Sequence, residues 1–282
     1  MRFGKQVHHV GLAILFAISL WPARTAEAQS TLHAPWDSLL KAHVRQGLVD
    51  YDALERAPAF TRYLASLDTV TVEALDENGR LAFWINAYNA YTVQLILTHH
   101  ERQSIRNINR SLGLLQLKGP WNERLVRAGG KVYTLDEVFH RVLRKQFREP
   151  RMHFAVVPAS KGAPPLRSEA YTGARLEEQL EDQTRRLLSD TMWTWYRRGV
   201  LGVNQVMVAY ERDFASSRQE LVQFVAPYVT LRAQEEQKKR LTEGNPPVFV
   251  QGRSYDWSLN VQAPARPAGA SVTPPAALPR PR

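Results

Sequence analysis

The chain contains no cysteine. That excludes thiol nucleophiles, thiolate metal sites, iron–sulfur clusters and a disulfide framework together, so the fold depends on packing alone. Zinc-finger spacing and RNP-like aromatic strands are also missing, and nucleic acid is not an expected partner. The eight histidines form no H-x-x-x-H or H-E-x-x-H pair, and His99 and His100 are adjacent and point apart. No metal and no cofactor is expected from such spacing. Past the N-terminus no apolar run clearly reaches the length of a membrane span. The longest, Leu81 to Leu97, covers about 17 residues, the short limit for a span, and its central asparagines would be costly in lipid.

Positive charge, by contrast, is in surplus, at a formal +10. The first residues read MRFGKQVHHVGLAILFAISLWPARTAEAQS, with Arg2 and Lys5 before an apolar run from Val10 to Trp21 and then Ala26-Glu27-Ala28. This is the order of a secretory signal, predicting removal of residues 1–28 and an exported, periplasmic or secreted protein that begins at Gln29. Cleavage takes away three cations and one anion, leaving +8. Outside the cytoplasm such a charge favours anionic envelope polymers or lipid head groups. From Val261 the chain is rich in proline and alanine, lacks side chains to bury, and is expected to be disordered to residue 282. Residues 29–260 remain as one domain, ample for a core.

Within that domain the stretch LAFWINAYNAYTVQLIL, Leu81 to Leu97, is apolar on nearly every side. Such a segment reads as a helix wrapped by the rest of the domain. Asn86 and Asn89 lie one turn apart and share a face. Buried amides need partners, so these two either pin neighbouring loops or line a polar pocket. Further on, Leu125 to Thr134 reads as a hairpin turning at Gly129-Gly130. Thr134 and Glu137 form a capping box for a helix to about Phe147. Met152 to Val157, Val203 to Tyr210 and Pro247 to Tyr255 read as strands, and Thr172 and Ser217 as helix caps. Helices outnumber strands without β-α-β alternation. The expected class is therefore α+β: a helix-rich single domain with a small, mainly antiparallel sheet around the buried helix.

Few residues invite chemistry. His140 on the capped helix and His153 just beyond it are close enough in sequence to face one another, with Ser160 in the following Gly/Pro loop. A Ser–His–carboxylate set of Ser160, His140 and Asp256 or Asp136 would need the base within reach of the hydroxyl. Against it, Ser160 lies in Ala-Ser-Lys-Gly and not in a nucleophile elbow. Arg141, Arg144, Lys145 and Arg148 recur at helical spacing as a basic stripe, by default a solvated face near a helix C-terminus.

Several linked motifs resemble the domain-of-unknown-function 547 family. These are FWINAYNA (Phe83 to Ala90), YTLDEVFHRVLR (Tyr133 to Arg144), EPRMHFAVVPASKGAPPLRSEAYT (Glu149 to Thr172) and YDWSLN (Tyr255 to Asn260). The likeness runs from about Asp50 to Asn260 and implies a shape more than an activity. Members usually carry a cysteine where Pro158 stands here, and many a second where Ala163 stands. An acidic residue commonly occupies the position of Phe139. If the family performs papain-like thiol chemistry with His140, this chain has lost the nucleophile. The expected site is then a cleft bordered by the buried helix, the His140 helix and the Ser160 loop. Asn86, Asn89, His153 and Arg167 would bind a small molecule or a protein partner there. A hydrolase using Ser160 or an activated water, with His140 as base, is the alternative. A basic structural protein of the envelope is a third reading.

Overall fold

The buried helix is where the sequence puts it. In the computed structural model, which describes residues 31–109, 119–229, 235–244, 247–250 and 255–263, it spans Glu77–Thr98. Asp76 caps it by accepting from Gly79 N–H, and every residue from Leu81 to Val93 is buried. The expected signal segment and nearly all of the Pro/Ala-rich tail lie outside the described residues. No helix among them is long and apolar enough to cross a membrane.

Around this helix the chain builds a helix-rich α+β domain, its strands among the described residues divided among three small sheets instead of one. An N-terminal helix, Ala34–His43, stacks Trp36 on Tyr63 of the helix Pro58–Asp68, with ring planes 6° apart. It ends in a hairpin of β1, Val44–Arg45, and β2, Leu48–Val49. Gln46 and Gly47 turn that hairpin with positive φ. A Cβ on Gly47 would lie 2.5 Å from Pro165 Cβ at a φ of +82°, so Gly47→Ala combines backbone strain with overlap. We expect a loss of about 2 kcal/mol, read as a lowered thermal midpoint.

The hairpin turning at Gly129-Gly130 pairs β3, Arg124–Ala128, with β4, Lys131–Thr134. Thr134 and Glu137 then form both hydrogen bonds of the expected capping box. The helix they open, residues 135–146, is not regular, because Val138–Leu143 forms a π-helical turn. This wider turn breaks the 3.6-residue spacing behind the expected basic stripe. Arg141 reaches back to Glu137, whereas Arg144 turns to Asp213.

Two expected strands are corrected. Met152–Ala155 is a single helical turn, for an apolar run this short is the same in either conformation and periodicity cannot distinguish them. In the other case the strand ends where the reading began it. Val200–Val203 is β6, and Asn204 caps a helix Gln205–Ala209 by accepting from Val206 N–H at 2.8 Å. β6 pairs antiparallel with β5, Trp195–Arg197, and parallel with β7, Val248–Val250. Of the strand expected over Pro247 to Tyr255, residues 251–254 lie outside the described set.

Two apolar clusters result among the described residues. The larger surrounds the central helix. The smaller gathers β6 and the helices after it, Glu211–Phe214 and Arg218–Val229, around Leu201, Val203 and Met207. Phe154 belongs to the second cluster while its neighbours Met152 and Ala155 belong to the first. The turn that carries His153 is therefore the seam between them.

Candidate functional site

The two asparagines are fully engaged with backbone. Asn86 donates to Tyr171 O and accepts from Tyr171 N–H, at 2.7 and 3.0 Å. Asn89 donates to Ala155 O and accepts from Val157 N–H, both at 2.9 Å. Each amide does for a loop what a neighbouring strand would do. The Asn89 pair explains why the apolar run around Ala155 needs no sheet.

Beside the seam opens a cleft of about 450 Å³. Its walls come from the central helix (Tyr88), the π-helical turn (Phe139, His140), the seam (His153, Val156, Pro158) and the capped helix Gln205–Ala209. The C-terminal segment closes it with Tyr255 and Trp257. Pro158, at the position of the expected cysteine, faces into this space. The next residue, Ala159, is buried with φ +53°, a conformation that costs a non-glycine residue roughly 1–3 kcal/mol and concentrates at functional sites.

A charged network underlies the cleft. Arg144 forks onto both oxygens of Asp213 and also places Nη1 2.9 Å from His140 Nδ1. A guanidinium only donates, so His140 Nδ1 accepts. The proton of this tautomer is thus on Nε2, which faces Asp136 Oδ1 at 3.6 Å. His153 Nε2 lies 2.8 Å from Asp213 Oδ2. Burial pushes the His153 imidazole down to about 4 against the opposing pull of Asp213, so it is neutral at pH 7. Burial alone would raise the Asp213 carboxyl. The hydrogen bonds from Arg144 and His153 outweigh it and hold the group below its ordinary value. Tyr210 stacks on His153 at 4.8 Å and lies under the Arg144 guanidinium at 4.7 Å.

Of the expected catalytic set, His140 and the alternative acid Asp136 reach the cleft wall, whereas Ser160 and Asp256 do not. The Ser160 hydroxyl is buried and hydrogen-bonded to Tyr255 Oη at 2.7 Å, not to an imidazole. Burial pushes that Tyr255 phenol up to about 12. Asp256 accepts from Ser258 N–H and shapes a turn with Gly162. Arg167 is buried away from the cleft, paired with Glu169 and Asp182. Of the expected binding residues, His153 alone lines the cleft. Sequence reading missed Asp213 and Tyr210; the usable signal was Asn204, which caps the helix leading to them. No group of three His, Asp or Glu side chains among the described residues is arranged to hold a metal ion.

No curated protein and no solved structure matches the chain. The sequence model of the family described as Protein of unknown function, DUF547 matches residues 72–188, from just before the central helix to the end of the helix Leu176–Leu188. Those residues, which supply Tyr88, His140, His153 and Pro158 to the cleft, match the DUF547 family model.

Proposed function

We propose that the mature chain is an exported, non-catalytic binding protein that takes a small organic ligand into the cleft between the central helix, the His140 helix and the Pro158 loop. The observation that carries this reading is the state of His140. A general base needs a free lone pair within reach of the proton it removes. The Nδ1 lone pair of His140 already accepts from Arg144, and Nε2 carries the proton toward Asp136. Pro158 supplies no nucleophile to the cleft, and the Ser160 hydroxyl is spent on Tyr255. The cleft volume, about 450 Å³, lies inside the roughly 300–1,000 Å³ of small-molecule sites.

The test is a thermal-shift screen of the purified mature protein against a fragment library and envelope metabolites. A ligand that binds only the folded state raises its melting temperature. Ala209 lies on the cleft wall at a helix end, so Ala209→Trp is expected to abolish those shifts while leaving the ligand-free melting point within a few degrees. Shifts that survive Ala209→Trp, or turnover of an ester or amide that is lost on Ser160→Ala, would sink the reading.

A further inference from the structure

The cleft leaves an unusual set of hydrogen-bonding groups unspent. Tyr88 is 5% exposed, yet its hydroxyl has no partner among the described residues. Burial among Tyr210, Tyr255 and Asp136 raises that phenol above its ordinary value, so it keeps its proton at neutral pH. His153 is 2% exposed, and its Nδ1 is buried with no partner. Because the neutral ring uses its N–H toward Asp213, this Nδ1 is a bare acceptor. Trp121 Nε1–H is a buried donor with no partner. Asp136 adds acceptor oxygens and His140 Nε2 a donor. The two buried orphans, His153 Nδ1 and Trp121 Nε1–H, cost roughly 1–3 kcal/mol each, which a matching ligand would recover.

Acceptors and donors therefore share one space. An ammonium ligand offers donors only and would leave Trp121 and His140 unmatched. A carboxylate or phosphate offers acceptors only, and would face Asp136 and His153 Nδ1; among the described lining residues no lysine or arginine would compensate. A hydroxyl both donates and accepts, and so serves either kind of neighbour. Gln205 apart, the remaining wall is apolar and aromatic, suited to the C–H face of a saturated ring. We infer that the ligand of this cleft is a neutral, hydroxyl-rich ring compound, a saccharide. The inference rests on the binding reading given above and adds the chemical class to it.

Calorimetric titration of the full mature chain with short neutral oligomers of glucose, galactose and N-acetylglucosamine, with choline and with citrate, tests the class. At least one neutral sugar is expected to bind, choline and citrate are not, and Ala209→Trp should abolish the signal. Tyr88→Phe keeps the ring and removes only the hydroxyl. It should weaken sugar binding about fivefold, the equivalent of about 1 kcal/mol for one hydrogen bond, with an unchanged melting point in the absence of sugar. Binding of choline or citrate in preference to every sugar, blocked by Ala209→Trp, overturns the saccharide assignment and leaves the cleft as a binding site. Silence of all the sugars beside fragments that bind and are blocked by Ala209→Trp does the same. Silence of sugars and fragments alike overturns both. Sugar binding that Tyr88→Phe leaves untouched overturns the role given to the cleft's orphaned groups.

Discussion

Asn89→Ala is expected to lower the unfolding free energy by about 2–6 kcal/mol, against under about 1 kcal/mol for His140→Ala. The first change strips partners from two buried backbone groups at once, Ala155 O and Val157 N–H. Neither has a strand beside it, and water cannot reach a side chain 3% exposed. The loss would be a large part of the roughly 5–15 kcal/mol of a typical domain. His140 is partly exposed, and Arg144 keeps both bonds to Asp213 when the imidazole is removed. Urea unfolding measures both: the midpoint of Asn89→Ala should fall sharply with little change in slope, that of His140→Ala hardly at all. Equal, large losses would make the histidine a core pin and undo its assignment to an open cleft.

The second large effect is acid sensitivity. Burial lowers His153 to about 4 and His33 to about 3, from an ordinary value near 6.5. Both folded values lie below the unfolded one, so the unfolded chain binds more protons throughout the interval between them. Stability is therefore full above pH 6.5, falls as pH drops toward about 4, and for His153 stops falling once both states are protonated. At 1.36 kcal/mol per unit, His153 alone accounts for about 3 kcal/mol across that window. The carboxylates held low by arginines, Asp213 and Asp182 among them, add their losses only at more acid pH. Urea midpoints at pH 7 and pH 4.5 should differ markedly, and His153→Gln, which can still donate to Asp213 but cannot be protonated, should reduce the difference. A midpoint unchanged from pH 7 to 4.5 would refute this account.

The parts of the fold legible in sequence were those in which local pattern and burial agree. An all-round apolar segment had to become the central helix, and Thr134 and Glu137 could cap only one way. The asparagines were recognised as needing partners, but the partners are backbone atoms of Tyr171, Ala155 and Val157, and no sequence spacing encodes which loop arrives there. The π-helical turn hid the site from periodicity. It takes Arg144 out of the expected solvated stripe and directs it to Asp213, 69 residues away. The supposed partners of His140 failed for a related reason. Ser160 and Asp256 look chemically apt, but Ser160 is bridged to Leu259 and Asp256 shapes the turn at Gly162, so both shape loops. Pro158 was the informative residue, since it occupies the cleft wall where the family resemblance implied sulfur.

The segment carrying Tyr255 and Trp257 ends by clasping the first hairpin. Tyr51 Oη donates to Asn260 Oδ1 across 209 residues, Asn260 Nδ2 reaches Gly47 O, and Val49 bonds backbone groups of Asn260 and Gln262. The two halves of this buckle are thus 209 residues apart along the chain. Until residues 255–262 are in place, β1 and β2 have an unlatched edge and the cleft lacks a wall. A variant cut short before Tyr255 would lose both the clasp on the first hairpin and the Tyr255–Trp257 wall of the cleft.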